Sequence, residues 1–254
     1  MPNLLDLLLD PVSLTLFGLY AGLMVWEYLL PARRLPRVRG WKLRGIGAFL
    51  LYWLLSSYLP LFWNDSLAAY QCLDLTVLGN WGGTLAGLLI YEAGVYGWHR
   101  GMHASTLLWR SFHQLHHSAE RLDSYGAFWF SPLDMLGWTA LSSLCLVWMV
   151  GITPEAAVRV LYTTTFLSIF QHANLCTPQW LGYLIQRPES HSCHHQRGVH
   201  TGNFSDLPVF DLLFGTWRNP SGFADEVGFY PGASMRVMDM LLLRDVSTPR
   251  TPNR

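Results

Sequence analysis

Five stretches of this chain are apolar over enough residues to cross a lipid bilayer, and this feature constrains the fold most. They cover roughly residues 12–31, 45–63, 81–98, 134–151 and 156–175. A helix needs about 20 residues to span the hydrocarbon core. Charged residues make up 13% of the sequence, against about 25% in an average soluble domain. We therefore predict an all-α, polytopic membrane helical bundle of about four or five spans.

The first apolar stretch is predicted to remain in the protein as a membrane anchor. The opening residues MPNLLDLLLD contain no basic side chain, and no small-residue cleavage site follows the apolar run, so the pattern of a secretory signal is missing. Among the 17 basic residues only Lys42 is a lysine, a bias typical of GC-rich bacterial genomes. We expect an integral protein of a bacterial inner membrane.

The basic residues predict which side of the membrane each loop occupies. The segment from residue 64 to residue 80 has none, whereas the loop between the first two apolar stretches has six, namely Arg33, Arg34, Arg37, Arg39, Lys42 and Arg44. The positive-inside rule places that loop in the cytoplasm. Counting spans alternately from it brings every histidine cluster to the cytoplasmic edge of the bilayer. From residue 177 onwards no apolar window is long enough to span, so we predict a cytoplasmic, histidine-rich cap.

Two further segments have local signals. Thr153, Pro154 and Glu155 form the pattern of an N-cap, a first-position proline and a first-turn acid, which predicts that the last spanning helix begins there. Near the C-terminus, MRVMDMLLLRD (residues 235–245) fits an amphipathic helix lying on the membrane interface. The final STPRTPNR is predicted to be a disordered tail.

Overall charge argues against one class of partner. The formal net charge is zero and the isoelectric point is about 7.1. The sequence contains no basic patch with interleaved aromatic residues, the usual footprint of nucleic-acid binding. We expect no nucleic-acid partner.

All ten histidines lie between residues 99 and 200, and eight of them form three compact motifs. The motifs read HxxxH, HxxHH and HxxHH, and their histidines are His99, His103, His113, His116, His117, His191, His194 and His195. Residues at i, i+3 and i+4 share one face of a helix, so each motif offers several imidazoles to one point. Burying eight unpaired imidazoles beside hydrocarbon is costly. We therefore predict a metal site, with enough nitrogen ligands for two metals at about four each.

The composition of the histidine motifs indicates which metal they bind. A zinc hydrolase of the HExxH type needs a carboxylate beside its ligands, and neither HxxHH motif contains one. A haem needs only two axial ligands. Two irons with open positions would bind dioxygen and attack an unactivated C–H bond. Zinc is expected as a substitute on purification, because histidine sites bind it more tightly than ferrous iron.

For several single residues the sequence leaves alternative roles open. Glu92 shares a helical face with His99 and is expected to orient ligand rings and offset metal charge, the alternative being an ion pair with Arg100. Asp206 and Asp211 are similar candidates, with helix capping as the alternative. A ligand role and a packing role are equally expected for His172. His200, in a loop, is expected not to bind metal.

The three motifs, together with EAGVYGWHRGMH, LWRSFHQLHHS, FQHAN, PESHSCHH and NFSDLPVFDLLFGTW, resemble the fatty acid hydroxylase / sterol desaturase superfamily of membrane di-iron oxygenases. The similarity covers roughly residues 81–220. It implies a helical bundle with a cytoplasmic cap, lipid substrates, and a di-iron centre that adds His172 to the eight clustered histidines. It also implies functional roles for Asn203 and Asp211, which fall in the family's last motif. Two departures are visible: Glu92 stands where aspartate is usual, and Ser131 of SPLD stands where many members have histidine.

The resemblance divides the chain into three parts. Residues 1–80 are predicted to be anchor helices with the basic loop, residues 81–220 the catalytic domain, and residues 221–254 the interfacial helix and tail. The implied activity is hydroxylation or desaturation of a lipid with dioxygen and two external electrons. Because the sequence has no flavin or nicotinamide motif, the electrons are expected from a separate ferredoxin-like or cytochrome-type protein. The alternatives are a membrane metal-binding protein without oxygenase activity and a zinc-dependent lipid hydrolase.

Overall fold

The computed structural model describes residues 1–249, which form an almost entirely helical structure. The α-helices in this part of the chain are α1 (Leu4–Leu9), α2 (Pro11–Leu29), α3 (Trp41–Tyr58), α4 (Asn64–Ala69), α5 (Gly79–Ala104), α6 (Thr106–Leu108), α7 (Gln114–His117), α8 (Pro132–Ser143), α9 (Pro154–His172), α10 (Pro188–His194), α11 (Val209–Leu213) and α12 (Val237–Leu241). π-Helical turns at Trp109–His113 and Leu144–Met149 lead into α7 and extend α8, respectively. Two-residue strands β1 (Leu73–Asp74) and β2 (Val150–Gly151) pair in parallel. The predicted all-α membrane bundle is confirmed.

Proline and a capping side chain fix where the main helices begin. α2, α8, α9 and α10 each have proline at the start, where its missing N–H would have had no helical partner. Side-chain oxygens of Asp10, Ser131 and Thr153 accept hydrogen bonds from the first turns of α2, α8 and α9. The start of α9 at Thr153, expected from the sequence, is therefore confirmed.

Three of the five predicted spans meet the length and composition expected of a membrane-crossing helix. Among the described residues these are Pro11–Leu29, Trp41–Phe62 and Pro132–Met149. The other two windows are also helices, α5 with 26 residues and α9 with 19, but their polar residues make them less apolar. α5 and α9 pack along each other, and they carry Glu92, His99 and His172 on buried positions. These two helices are less apolar because they build the site.

The basic loop and the C-terminal cap lie on the same side of the bundle. The Arg33 guanidinium donates a hydrogen bond to the Ala224 carbonyl at 2.9 Å. Arg44 donates to the Ser234 carbonyl at 3.0 Å. A groove of about 390 Å³ remains between the loop and the cap, and none of the described histidines lines it. The basic loop therefore packs against the C-terminal cap, and the cytoplasmic location of both stays a prediction.

The C-terminal segment differs from the single amphipathic helix predicted for residues 235–245. The helix there, α12, has only five residues. Leu243 adopts a left-handed conformation with φ of 58°, which ends the helical run. Met240 and Val246 both insert into a core cluster around Trp41, whereas Met238 and Leu242 are exposed, so the contact of this segment with the membrane interface stays a prediction. The predicted tail begins at residue 247, and its residues 250–254 lie outside the described part of the chain.

Candidate metal centre

The fold brings the nine predicted ligand histidines into two adjoining groups. One group contains five residues, His99, His103, His113, His117 and His194, and the other contains four, His116, His172, His191 and His195. Within each group the ligand atoms lie within 4.8 Å of one another. Eight of the nine side chains are buried and His103 is partly exposed. His172, for which the sequence left two roles open, belongs to the four-histidine group.

Neither HxxHH motif serves a single group. His113 and His117 of the first motif face the five-histidine group, whereas His116 faces the other. In the second motif His194 and His195 separate in the same way. We expected each motif to converge on one point, but its three side chains are spread over two. The reason is geometric: consecutive helical side chains point about 100° apart at 3.6 residues per turn.

The five-histidine group has its Nε2 atoms directed inwards. Nδ1 of His99 lies 2.7 Å from the Phe204 carbonyl oxygen, and Nδ1 of His194 lies 2.7 Å from the Gly202 carbonyl oxygen. Because a carbonyl oxygen only accepts, each Nδ1 carries the proton and each Nε2 presents a lone pair. The Nε2 atoms of His103, His117 and His194 are buried without a hydrogen-bond partner in residues 1–249.

The four-histidine group converges in the same way. His172 Nδ1 donates to the Ser168 carbonyl at 2.6 Å, which leaves a lone pair on Nε2. That Nε2 lies 3.0 Å from Nε2 of His116 and 3.0 Å from Nε2 of His191. His191 Nε2 in turn lies 3.2 Å from His195 Nε2. Four ring nitrogens thus meet at one point.

This arrangement fits metal ions. Burial, together with like neighbouring imidazoles, lowers the pKa of His113, His116, His117, His191, His194 and His195 well below its ordinary value. These rings are therefore neutral at pH 7, the form that binds metal. Lone pairs that face each other repel, as at the 2.9 Å approach of His99 Nε2 and His113 Nε2. A cation among them would turn that repulsion into coordination.

Asp134 is a functional candidate that the sequence analysis did not select. Its carboxylate lies 3.0 Å from His113 Nδ1, and both side chains are buried. A carboxylate on the outer nitrogen fixes the ring orientation and raises the basicity of the ligand. Ser131, in the position where many family members have histidine, caps α8 by accepting from the Asp134 backbone N–H at 3.1 Å. The sequence signal for Asp134 lies in SPLD, where Asp134 places a carboxylate in the first turn of a membrane helix.

Glu92 and Asp211, two of the polar residues predicted beside the metals, both bind one loop, residues 202–207, which contains the other two, Asn203 and Asp206. Glu92 is fully buried and accepts hydrogen bonds from the backbone N–H groups of Asp206 and Leu207, at 2.9 and 3.1 Å. It does not pair with Arg100, which instead donates to the Tyr96 hydroxyl. Asp211 accepts from the N–H groups of Phe204 and Ser205 at 2.9 and 3.0 Å. This loop supplies the carbonyls that orient His99 and His194.

Asn203 anchors the same loop to its surroundings. It adopts a left-handed conformation with φ of 52°, which asparagine tolerates better than most residues. Its side-chain amide donates to the Ser190 and Arg218 carbonyls at 2.8 and 2.9 Å and accepts from the Arg218 N–H at 2.7 Å. Asn203 thereby ties α10, which carries His191 and His194, to the chain that follows α11.

His200 lies outside both groups but contacts one of them. Its Nδ1 is 3.0 Å from Nδ1 of His117, whose Nε2 is then the atom left for a metal. Burial lowers the pKa of His200 to about 4, so the ring is neutral at pH 7. Its φ of 43° is left-handed, an unusual conformation for this residue type. Nothing in the spacing of the histidines connects His200 with His117.

We predict that the His200 side chain strengthens metal binding by the five-histidine group. His200→Gly permits the same backbone conformation but removes the ring. It should weaken metal affinity about 10-fold, the lower end of the effect seen when the hydrogen-bond partner of a metal ligand is removed. His200→Asn keeps a polar atom near the position of Nδ1 and tolerates the positive φ, so it should restore most of the affinity. Competition with a chelator measures both. Equal affinities for the parent and the Gly variant would contradict the prediction.

An apolar cavity leads from the membrane region to the histidines. Its larger part, about 440 Å³, lies among α2, α3, α8 and α9 and is lined mainly by apolar side chains. A smaller part of about 60 Å³ touches His99, His113, His116, His172 and His191. Both parts share Tyr52, Tyr91, Phe128 and Ser168 in their linings, so they adjoin there. We call these four residues the neck.

Fold and site together define a helical membrane protein with a buried two-part histidine centre below an apolar cavity. The family model for fatty acid hydroxylase matches residues 84–216, more than half of the chain. The chain belongs to the fatty acid hydroxylase family.

Two characterised relatives show which proteins this chain is similar to. The ornithine lipid hydroxylase OlsE of Rhizobium tropici is 33% identical over 138 residues, which are 53% of this chain and 41% of that protein. The sphingolipid C4-hydroxylase SUR2 of Saccharomyces cerevisiae is 28% identical over 147 residues, 55% of this chain and 41% of that protein. The matched region therefore spans less than half the length of either relative. No solved structure matches the chain.

Proposed function

We propose that this protein is a membrane-bound di-iron oxygenase that hydroxylates or desaturates a lipid, using dioxygen and two electrons from a separate donor protein. The observation that carries the proposal is the convergence of nine histidines, in groups of five and four, at the inner end of an apolar cavity. Both relatives named above are lipid hydroxylases. Residues 81–220 form the catalytic part in this proposal.

The nine histidines would hold the metals through Nε2, five around one position and four around the other. When bound, a pair of irons supplies the activation of dioxygen and the attack on an unreactive C–H bond, which no side chain can provide. Asp134 and the carbonyls of Gly202, Phe204 and Ser168 keep the rings in the tautomer that leaves Nε2 free.

The cavity walls position the substrate and exclude water. Phe128 and Phe130 line the small part next to the imidazoles, and an aliphatic chain fits the larger part, which lies in the region of the membrane-crossing helices. Apolar walls of this kind bind a lipid by removing its surface from water. They also protect a reactive centre from side reactions with water.

The active site lies on the cytoplasmic side of a bacterial inner membrane in this proposal. The support is the contact of the cap with the arginine-rich loop, a loop that the positive-inside rule assigns to the cytoplasm. A ferredoxin-like or cytochrome-type donor would reach the centre from there. The hydrolase alternative is not favoured, because neither histidine group includes a carboxylate.

The proposal is tested by the dependence of turnover on dioxygen. Purified protein reconstituted with ferrous iron under nitrogen is supplied with a chemical reductant and either ornithine lipid or a sphingoid base. On admission of isotopically labelled dioxygen, we expect an oxidised lipid; a hydroxylated product should carry the label in its new hydroxyl. Zinc-loaded protein is the control and should give no product. Product formation under nitrogen, or equal activity with zinc, would contradict the oxygenase assignment.

A further inference from the structure

The neck between the two parts of the cavity carries three hydroxyl groups, those of Tyr52, Tyr91 and Ser168. Tyr52 of α3 and Tyr91 of α5 line both parts. Their rings pack with apolar neighbours, as shown by Tyr52 at 5.4 Å from Phe128 between ring centroids. Neither hydroxyl has a hydrogen-bond partner within residues 1–249. Both residues are only partly buried and line the cavity, so the two hydroxyls are available to a ligand.

A carboxylate completes this polar region. Asp206 lines the small part of the cavity together with Gln171 and Ser168, and its side chain is 6% exposed. Gln171 donates to Asp206 Oδ1 at 2.7 Å, and the Ser168 hydroxyl donates to Oδ2 at 3.3 Å. Each carboxylate oxygen can accept a second hydrogen bond. Asp206 is therefore held in place with acceptor capacity left over.

The position of these groups matters because the same small cavity touches five of the histidines. At about 60 Å³ it accommodates a small functional group rather than a bulky headgroup. A purely hydrocarbon segment in this place would leave the two tyrosine hydroxyls without partners, which costs binding free energy. A hydroxyl, amine or amide N–H would satisfy them.

We propose that the substrate is a lipid with a small hydrogen-bonding group, a hydroxyl, amine or amide, close to the reacting carbon, and that Tyr52, Tyr91 and Asp206 bind this group. The aliphatic chain then extends from the neck into the larger cavity. This inference rests on the proposed function, because it assumes that the carbon beside the imidazoles is the one that reacts. It assigns specificity to the neck and Asp206 rather than to the apolar walls.

The test measures binding in the absence of dioxygen. Metal-loaded protein in detergent micelles is titrated with a long-chain aminoalkanol and, separately, with the n-alkane of equal carbon number. We expect the aminoalkanol to bind more tightly. Tyr91→Phe and Tyr52→Phe keep the rings but remove the hydroxyls, and each should weaken aminoalkanol binding about 3- to 10-fold, the range for one hydrogen bond. Alkane binding should stay unchanged.

Two further variants complete the experiment. Asp206→Asn keeps an oxygen that can accept from Gln171 but loses the charge, and should weaken binding of the protonated amine about 10-fold or more. Tyr162→Phe, on α9 and outside both cavity linings, is the control and should bind like the parent. Equal binding of both probes, or equal weakening of both by Tyr91→Phe, would overturn the inference. Failure of the dioxygen assay would instead overturn the proposed function, since no dioxygen enters this measurement.

Discussion

Replacing His194 or His116 with alanine should remove metal and abolish activity. His194 belongs to the five-histidine group and His116 to the four-histidine group, so the two variants test each group separately. Removing the hydrogen-bond partner of a metal ligand already lowers metal affinity or activity about 10- to 100-fold. Removing the ligand itself should lower metal affinity more than about 100-fold. Elemental analysis of the purified variants gives the metal content. The oxygenase assay gives the activity.

A control from the same turn separates metal binding from general damage to the fold. Cys193 lies between His191 and His194 but belongs to neither histidine group. Cys193→Ser should keep the parent's metal content and most of its activity. If His116→Ala and His194→Ala also kept both, the assignment of the nine histidines as ligands would be wrong.

Replacing Asp211 with alanine should both destabilise the protein and weaken the five-histidine group. Asp211 is fully buried and accepts hydrogen bonds from two backbone N–H groups of the loop and from the Ser205 and Thr216 hydroxyls. An unsatisfied buried donor costs about 1–3 kcal/mol, so we expect a loss of at least about 3 kcal/mol in the free energy of unfolding. Because Phe204 O and Gly202 O orient His99 and His194, metal affinity should fall about 10- to 100-fold.

Thermal unfolding in detergent and chelator competition measure the two effects of Asp211→Ala. Asp65→Ala is the matched control, since Asp65 is exposed on α4 and far along the chain from the site. It should change neither quantity. If Asp211→Ala were destabilised but kept the parent's metal affinity, the loop would not be what orients the histidines.

Much of the architecture could be predicted because it depends on local patterns. Apolar length identified the main helices, and proline with a capping side chain located the start of α9. Eight of the nine histidines could be grouped as candidates because their spacing is regular, whereas His172 was added only by the resemblance to the family. Such features are determined within a few residues of sequence, where helix geometry alone relates one side chain to another.

The features that could not be predicted depend on contacts between segments far apart in the sequence. Helix geometry separates neighbouring histidines, but which group each one joins depends on the positions of α5, α9 and α10 around α7, which spacing does not contain. The contact of His200 with His117 joins residues 83 positions apart. The neck joins Tyr52 and Tyr91 from different helices. Asp134 alone had a local signal, since an acid in the first turn of a membrane helix is uncommon.

The division of neighbouring histidines between the two groups has a consequence for how the centre can vary. The rings of His116 and His117 are 5.5 Å apart between centroids, and those of His194 and His195 are 5.3 Å apart. Each pair is joined by a single peptide unit, whose length does not change. Covalent geometry thus holds the two ligand groups next to each other at two separate places. A change in the helices or the cavity that keeps both pairs would therefore leave the two ligand groups adjacent.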